Sequence, residues 1–183
     1  MNVTLDTWII SDTHFNHDNI VKYCGRPENH TQLIEDNWFA AIAADDTVLH
    51  LGDLFMGPRR DSLTILERLP GRKHFIKGNH DKQPDRLYAD LGWKRVEDFV
   101  YFRDGNYRIL FSHYPDTEHL ADWTVNIHGH IHNNGYPEGT DFNRDYRNVS
   151  IEVMDYKPVK LRDILYAGKF QNPRQAGVWK QND

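Results

Sequence analysis

Short apolar runs that break off into small polar residues recur along this chain. Trp8-Ile9-Ile10 leads into Ser11-Asp12, Thr47-Val48-Leu49-His50-Leu51 into Gly52-Asp53, His74-Phe75-Ile76 into Lys77-Gly78-Asn79, and Val125-Asn126-Ile127-His128 into Gly129-His130. Runs this short, rich in β-branched and aromatic residues and bounded by turn formers, predict buried strands. Between the first two lie Ile20 to Cys24 and then Leu33, Ile34, Trp38, Ala41 and Ile42, whose spacing draws one apolar helical face. The result is a β-α-β pattern. A further helix is expected from Asp61 as cap through Ser62 to Leu69, ended by Pro70-Gly71. Val96 to Arg103 and Tyr107 to Phe111 flank Asp104-Gly105-Asn106, a hairpin signal that brings antiparallel pairing into the sheet system. Asn133 to Asn148 shows little periodicity and predicts a long loop, and Val149 to Val153 alternates as a half-buried strand does.

A length of 183 residues suits one domain with a real core, expected over residues 1–167. Residues 168–183, with Gln, Asn, Pro and Lys and few apolar positions, read as a loosely held tail. Cys24, alone of its kind, excludes an internal disulfide and reads as a small buried hydrophobe. Neither a leader peptide nor an apolar stretch of membrane-spanning length is visible, so the expectation is a cytoplasmic protein without membrane association. The net charge of −5 and the scattered basic residues give no basic stripe for nucleic-acid binding, and no obligate protein partner is indicated.

The polar ends of the apolar runs carry the chemistry. Asp12, His14, Asp53, Asn79, His113, His130 and His132 all follow or closely trail a predicted strand. Ligands in open α/β sheets collect at the carboxyl ends of strands, where the loops converge. Asp12 and His14, two apart, would face the same way in an extended segment. Asp53 has two oxygens and can bridge two cations, Asn79 offers a carbonyl oxygen, and the histidines supply nitrogen to Mn, Fe, Zn, Ni or Co. That mixture argues against a pure calcium site. Two dications held by only two carboxylates leave a positive centre suited to a phosphate ester.

Asp12-x-His14, Gly52-Asp53, Gly78-Asn79-His80-Asp81, His113 and Gly129-His130-x-His132 together resemble the calcineurin-like metallophosphoesterase superfamily, with every motif intact and in order. The resemblance implies an α/β fold of two mixed β-sheets packed as a sandwich flanked by α-helices. It also implies two divalent metal ions, manganese first among them, with a bridging hydroxide attacking phosphorus in line. One metal would take Asp12, His14, Asp53 and His132, the other Asp53, Asn79, His113 and His130. His80 would be catalytic, facing the phosphate and the leaving-group oxygen. After Asp53 comes Leu54-Phe55-Met56-Gly57, without the residues that mark the Ser/Thr protein phosphatase branch. Asn16-His17-Asp18-Asn19-Ile20 and Cys24-Gly25-Arg26-Pro27 instead resemble small bacterial and phage-type members. The expected activity is a phosphodiesterase acting on small or nucleotide-like phosphoesters. The alternatives are a phosphomonoesterase on the same site or a non-catalytic protein-binding scaffold of the same fold.

Other residues carry weaker expectations. His17 and Arg26 are candidates to touch substrate phosphate. His50 reads as a core or sheet residue, and His128 is kept out of the site although it shares a strand face with His130 and His132 in an extended segment. His30, His74 and His119 read as surface residues, and Asp81 as a loop anchor. Tyr136 and Arg144 are candidates for a substrate lid, and Trp38 with Leu33-Ile34 for core packing.

Overall fold

The computed structural model of the chain describes residues 1–56, 59–118 and 122–167. Among these, nine strands form two sheets. The first has the order β4-β3-β2-β1-β9, with β1 (Trp8–Ile10), β2 (Thr47–His50), β3 (Arg72–Phe75) and β4 (Trp93–Arg95) parallel and β9 (Val159–Lys160) antiparallel to β1. The second has the order β5-β6-β7-β8. Its β5 (Phe99–Asp104) and β6 (Tyr107–Ser112) form the expected antiparallel hairpin, and β7 (Val125–His128) and β8 (Asp145–Asn148) add on in parallel. Two mixed sheets with flanking helices give the α/β sandwich that the motifs imply.

Alternation along the strands builds the layers. In β1 and β2, Ile9 and Leu49 pair and point inward to a core shared with Ile109, Phe111, Val125 and Ile127 of the second sheet. Their neighbours Ile10 and Val48 point the other way and pack with Ile34 and Trp38 of α2 (His30–Ala41), Leu66 of α3 (Arg59–Arg68) and Tyr88 of α4 (Asp85–Asp90). The short α1 (Ile20–Cys24) ends at Gly25 in the left-handed conformation, and α5 (Leu161–Tyr166) closes on the inner core through Leu161, Ile164 and Leu165.

Several elements differ from expectation. The stretch Val149 to Val153 is not a strand: Asp145–Asn148 pairs with β7, inside the expected loop, and Ile151–Met154 forms a 3₁₀ turn. Ile151 and Met154, three apart, are buried while Val153 is exposed, so the working period is three rather than two. β8 has the sequence Asp-Tyr-Arg-Asn, which carries one apolar residue and becomes a strand only because β7 offers it an edge. α3 starts at Arg59, which puts Asp61 in its first turn rather than at the cap. α4, β4, β9 and α5 had no expectation attached. The expected tail and His119 lie outside the described residues. No helix among the described residues is long and apolar enough to cross a membrane.

Candidate metal centre

The first sheet sends Asp12, His14, Asp53, Asn79 and His80 into the loops that follow β1, β2 and β3, and the second sends His113, His130 and His132 into those that follow β6 and β7. The carboxyl ends of both sheets meet, and two groups of ligand atoms converge there. Asp12, His14 and His132 form one triad and Asp53, His113 and His130 the other, the atoms of each lying within 4.8 Å of one another. One oxygen stands between the triads: Asp53 Oδ2 is 3.4 Å from His14 Nε2 and 3.5 Å from His113 Nε2. Asn79 joins the second group, with Oδ1 3.0 Å from His113 Nε2. All seven sequence candidates for metal ligation are thus brought together.

The backbone that presents them is strained. Asp12, His14, Asp53, His130 and His132 all have positive φ, between 45° and 69°. Such conformations cost on the order of 1 to 3 kcal/mol each in non-glycine residues and collect at functional sites. The extended segment expected for Asp12 and His14 is therefore a pair of left-handed residues that aim at the cluster by another route. Glycines let the loops close up. A Cβ on Gly78 would come 2.2 Å from Asp53 Oδ1, and one on Gly129 would come 2.0 Å from Ser11 Oγ and 2.2 Å from Asp12 Oδ2.

Hydrogen bonds fix the carboxylates. The His130 amide donates to Asp12 Oδ2 at 3.0 Å, and the His80 amide to Asp53 Oδ1 at 2.8 Å. Asp81 receives the amides of Asp53, Leu54 and Gly78 at 2.7, 3.0 and 2.9 Å, the loop-anchoring part expected for it. His50 and His128 are buried and internally satisfied. His50 Nδ1 accepts from the Gly52 amide while its Nε2 faces Thr13 Oγ1, and His128 is held between the Gly129 carbonyl and the Tyr136 hydroxyl.

Electrostatics follow from burial against charge. Burial works against ionised Asp12, but its electrostatic interactions with His113, His132 and His14 outweigh it and hold its pKa at about 2. Burial dominates at Asp53 and raises it to about 6. His14 is pushed well below its ordinary value, first by burial. Burial also opposes the charged form of His132, yet contacts with Cys24 and Glu152 and the charge of Asp12 raise it to about 10.

The donor set fits divalent metal. Both ring nitrogens of His14 are buried without a hydrogen-bond partner, an expensive state for a polar side chain that a cation on one of them would relieve in part. Imidazole nitrogens mixed with carboxylate and amide oxygens are the ligands that transition dications take.

His80 sits half-buried at the rim, its ring 5.3 Å from that of His14, and His17 is 5.7 Å from the same ring. Arg26 is elsewhere than a substrate contact would require. Its guanidinium is buried, donating to the carbonyls of Thr13 and Asp12 and paired with Glu152. His30, expected at the surface, opens α2 and is buried, its amide donating to the Pro27 carbonyl at 3.0 Å. Tyr136 packs on His128 and Tyr146, and Arg144 lies over the Trp123 ring 4.9 Å from its centroid; neither is placed against the cluster. Two residues had no sequence signal. Glu152 accepts a hydrogen bond from His132 Nδ1 at 2.9 Å, and the ring of half-exposed Tyr114 lies tilted against that of His130, centroids 4.3 Å apart.

A two-sheet α/β sandwich that gathers this ligand set at its strand ends defines the class of metal-dependent phosphoester hydrolases. The chain belongs to the calcineurin-like phosphoesterase family, which matches residues 5–175. It is 37% identical over 169 residues to an uncharacterized protein of Methanocaldococcus jannaschii, spanning 86% of this chain and 88% of that one. It is also 30% identical over 160 residues to the gene 66 protein of Mycobacterium phage D29, covering 69% and 78% of the two chains. Among solved structures, a protein of unknown function from Aquifex aeolicus superposes with a TM-score of 0.69 at 30% identity, covering 88% of this chain and 98% of that one. The Pseudomonas putida nuclease MPE shares the fold with a TM-score of 0.51 at 17% identity, over 69% and 62% of the chains.

Proposed function

We propose that this protein is a dinuclear metal-dependent phosphodiesterase acting on small or nucleotide-like phosphoesters, with manganese the first candidate metal. The observation that carries this is Asp53 Oδ2, placed 3.4 and 3.5 Å from one histidine of each triad, where a carboxylate shared by two cations would have to be. One ion would be held by Asp12, His14, Asp53 and His132, the other by Asp53, Asn79, His113 and His130. Two such ions supply, when bound, Lewis acidity toward phosphoryl oxygens and a water acidified enough to attack phosphorus.

The chain's own residues do the rest. The amides of His130 and His80 hold the two carboxylates in place before substrate arrives, so little reorganisation accompanies binding. Asp81 fixes the Gly78 loop, and with it the position of His80. His80 stands at the open side and would hydrogen-bond the phosphoryl or leaving-group oxygen, donating a proton as the ester bond breaks. Burial, then the charge of Lys82, lowers its pKa in the free protein; a bound phosphate would act in the opposite sense. An intact His80 beside a full ligand set favours catalysis over a scaffold role.

The test is hydrolysis of bis(p-nitrophenyl) phosphate against p-nitrophenyl phosphate by protein stripped with EDTA and reloaded with Mn, Fe, Zn, Ni or Co. A higher kcat/KM on the diester, absent from the stripped protein, is the expected result. A preference for the monoester would reassign the site to phosphomonoesters, and no turnover of either ester with any metal would sink the enzymatic reading.

A further inference from the structure

We propose that Arg26 and Glu152 form a buried clamp that orients His132 toward Asp12 and His14, making Glu152 a positioning residue for one of the two metal sites and not the other. The inference rests on the dinuclear site proposed above.

Glu152 comes from the 3₁₀ turn after β8, far in sequence from the first metal motif. Its Oε1 accepts from His132 Nδ1 at 2.9 Å and from Arg26 Nε at 2.8 Å, and Arg26 Nη2 lies 2.7 Å away as the ion-pair partner. The side chains are 3% exposed for Glu152 and 0% for Arg26, so little solvent weakens the contacts. A carboxylate that takes the Nδ1 hydrogen keeps that nitrogen protonated and the ring from turning away, so the proton a cation would displace is the one on Nε2.

Arg26 extends the clamp to the other half of the triad. Its Nη1 donates to the Thr13 carbonyl at 2.8 Å and its Nη2 to the Asp12 carbonyl at 2.6 Å. Those carbonyls belong to the segment in which Asp12 and His14 hold φ values of 57° and 45°. One guanidinium therefore ties the strained loop after β1 to the carboxylate that steers His132, and the three ligands of one triad share one support.

The other triad is built differently. His113 Nδ1 is 2.8 Å from the main-chain carbonyl of Leu51, so its tautomer is fixed by backbone and no carboxylate takes part. A change at Glu152 therefore acts on one site alone. Cys24, His132 and Glu152 also lie close enough to suggest a third cation site, but the Arg26 charge seated on Glu152 Oε1 opposes a cation there.

The experiment is calorimetric titration of the stripped full-length protein with Mn²⁺, the two binding events being assigned with His14→Ala and His113→Ala. Loss of a carboxylate that orients a metal-binding histidine weakens affinity by about 10- to 100-fold, so Glu152→Ala should weaken the His14-dependent event by that factor and leave the His113-dependent event in place. Glu152→Gln, which keeps side-chain volume and an acceptor oxygen for His132, should weaken the same event by less, and it serves as the test should the alanine variant not fold. Equal weakening of both events, or affinities unchanged in the variants, overturns the clamp and leaves the dinuclear site standing. Fewer than two binding events in the unaltered protein overturns the dinuclear site and the clamp with it.

Discussion

His113 Nε2 lies 3.0 Å from Asn79 Oδ1, while Nδ1 of the same ring lies 2.8 Å from the Leu51 carbonyl. Nδ1 faces a carbonyl that can only accept, so in the singly protonated form a metal ligand takes, Nε2 turns a lone pair toward Asn79 Oδ1 across a short gap. Asp53 Oδ2, at 3.5 Å from Nε2, adds a third. Three converging acceptors from the ends of β2, β3 and β6 repel one another unless something positive sits among them.

Metal should therefore stabilise the fold as well as activate it. Mass action at 100 times Kd contributes about 2.7 kcal/mol per site, so the melting temperature of stripped protein should rise by several degrees on adding Mn²⁺. His113→Ala should lose part of that rise and most of the activity. Scanning calorimetry with and without metal checks this, and a midpoint indifferent to metal would count against the site.

In the proposed reaction His80 acts on the leaving group without holding metal. His80→Ala should lower kcat by about 10² to 10⁴ while metal stoichiometry stays unchanged. The loss should be largest for alkyl esters, whose leaving oxygens need a proton, and smallest for p-nitrophenyl esters. Kinetics across a leaving-group series would refute the proton-donor role if the loss were uniform.

The approach of Gly129 to Asp12 leaves no space for a side chain. Gly129→Ala puts a Cβ 2.0 Å from Ser11 Oγ and 2.2 Å from Asp12 Oδ2, which forces the two loops apart. Overpacking of this kind costs about 1 to 3 kcal/mol, and metal affinity should fall with it. Denaturant unfolding and metal titration of the variant measure both losses, and a variant that keeps both would show that the loops yield freely.

His30 makes stability depend on acid. Burial first, then the charges of Arg26 and His17, lowers its pKa from 6.5 to about 4, so the fold favours the neutral ring. Its contribution is complete above pH 6.5 and is lost as pH falls toward 4, by up to about 1.4 kcal/mol per pH unit. The stability advantage of the unaltered protein over His30→Gln should shrink across that window. Parallel curves of unfolding free energy against pH would refute it.

Much of the candidate site was legible because its residues are tied to the ends of short apolar strands. A strand end followed by Gly-Asp, Gly-Asn-His-Asp or Gly-His-x-His announces itself in one dimension. Glu152 had no such signal: it lies in a stretch whose alternation predicts a strand, and it meets His132 only because Ile151 and Met154 wind that stretch into a 3₁₀ turn. Arg26 misled in the opposite direction. An arginine just after a metal motif suits phosphate, yet its partners are two carbonyls and a distant carboxylate that only folding brings near.

Local pattern alone was enough for the parallel core of the first sheet, the hairpin from β5 to β6 and the choice of candidate ligand side chains, because hydrophobic periodicity and turn chemistry are local. Folding was needed to make β8 a strand, to bury His30, to set Asp53 Oδ2 between two triads and to bring Arg26 and Glu152 together beside one of them. These depend on which backbone edge is unpaired and which charges meet when solvent is excluded. Such properties arise between segments far apart in the chain, and no single segment records them.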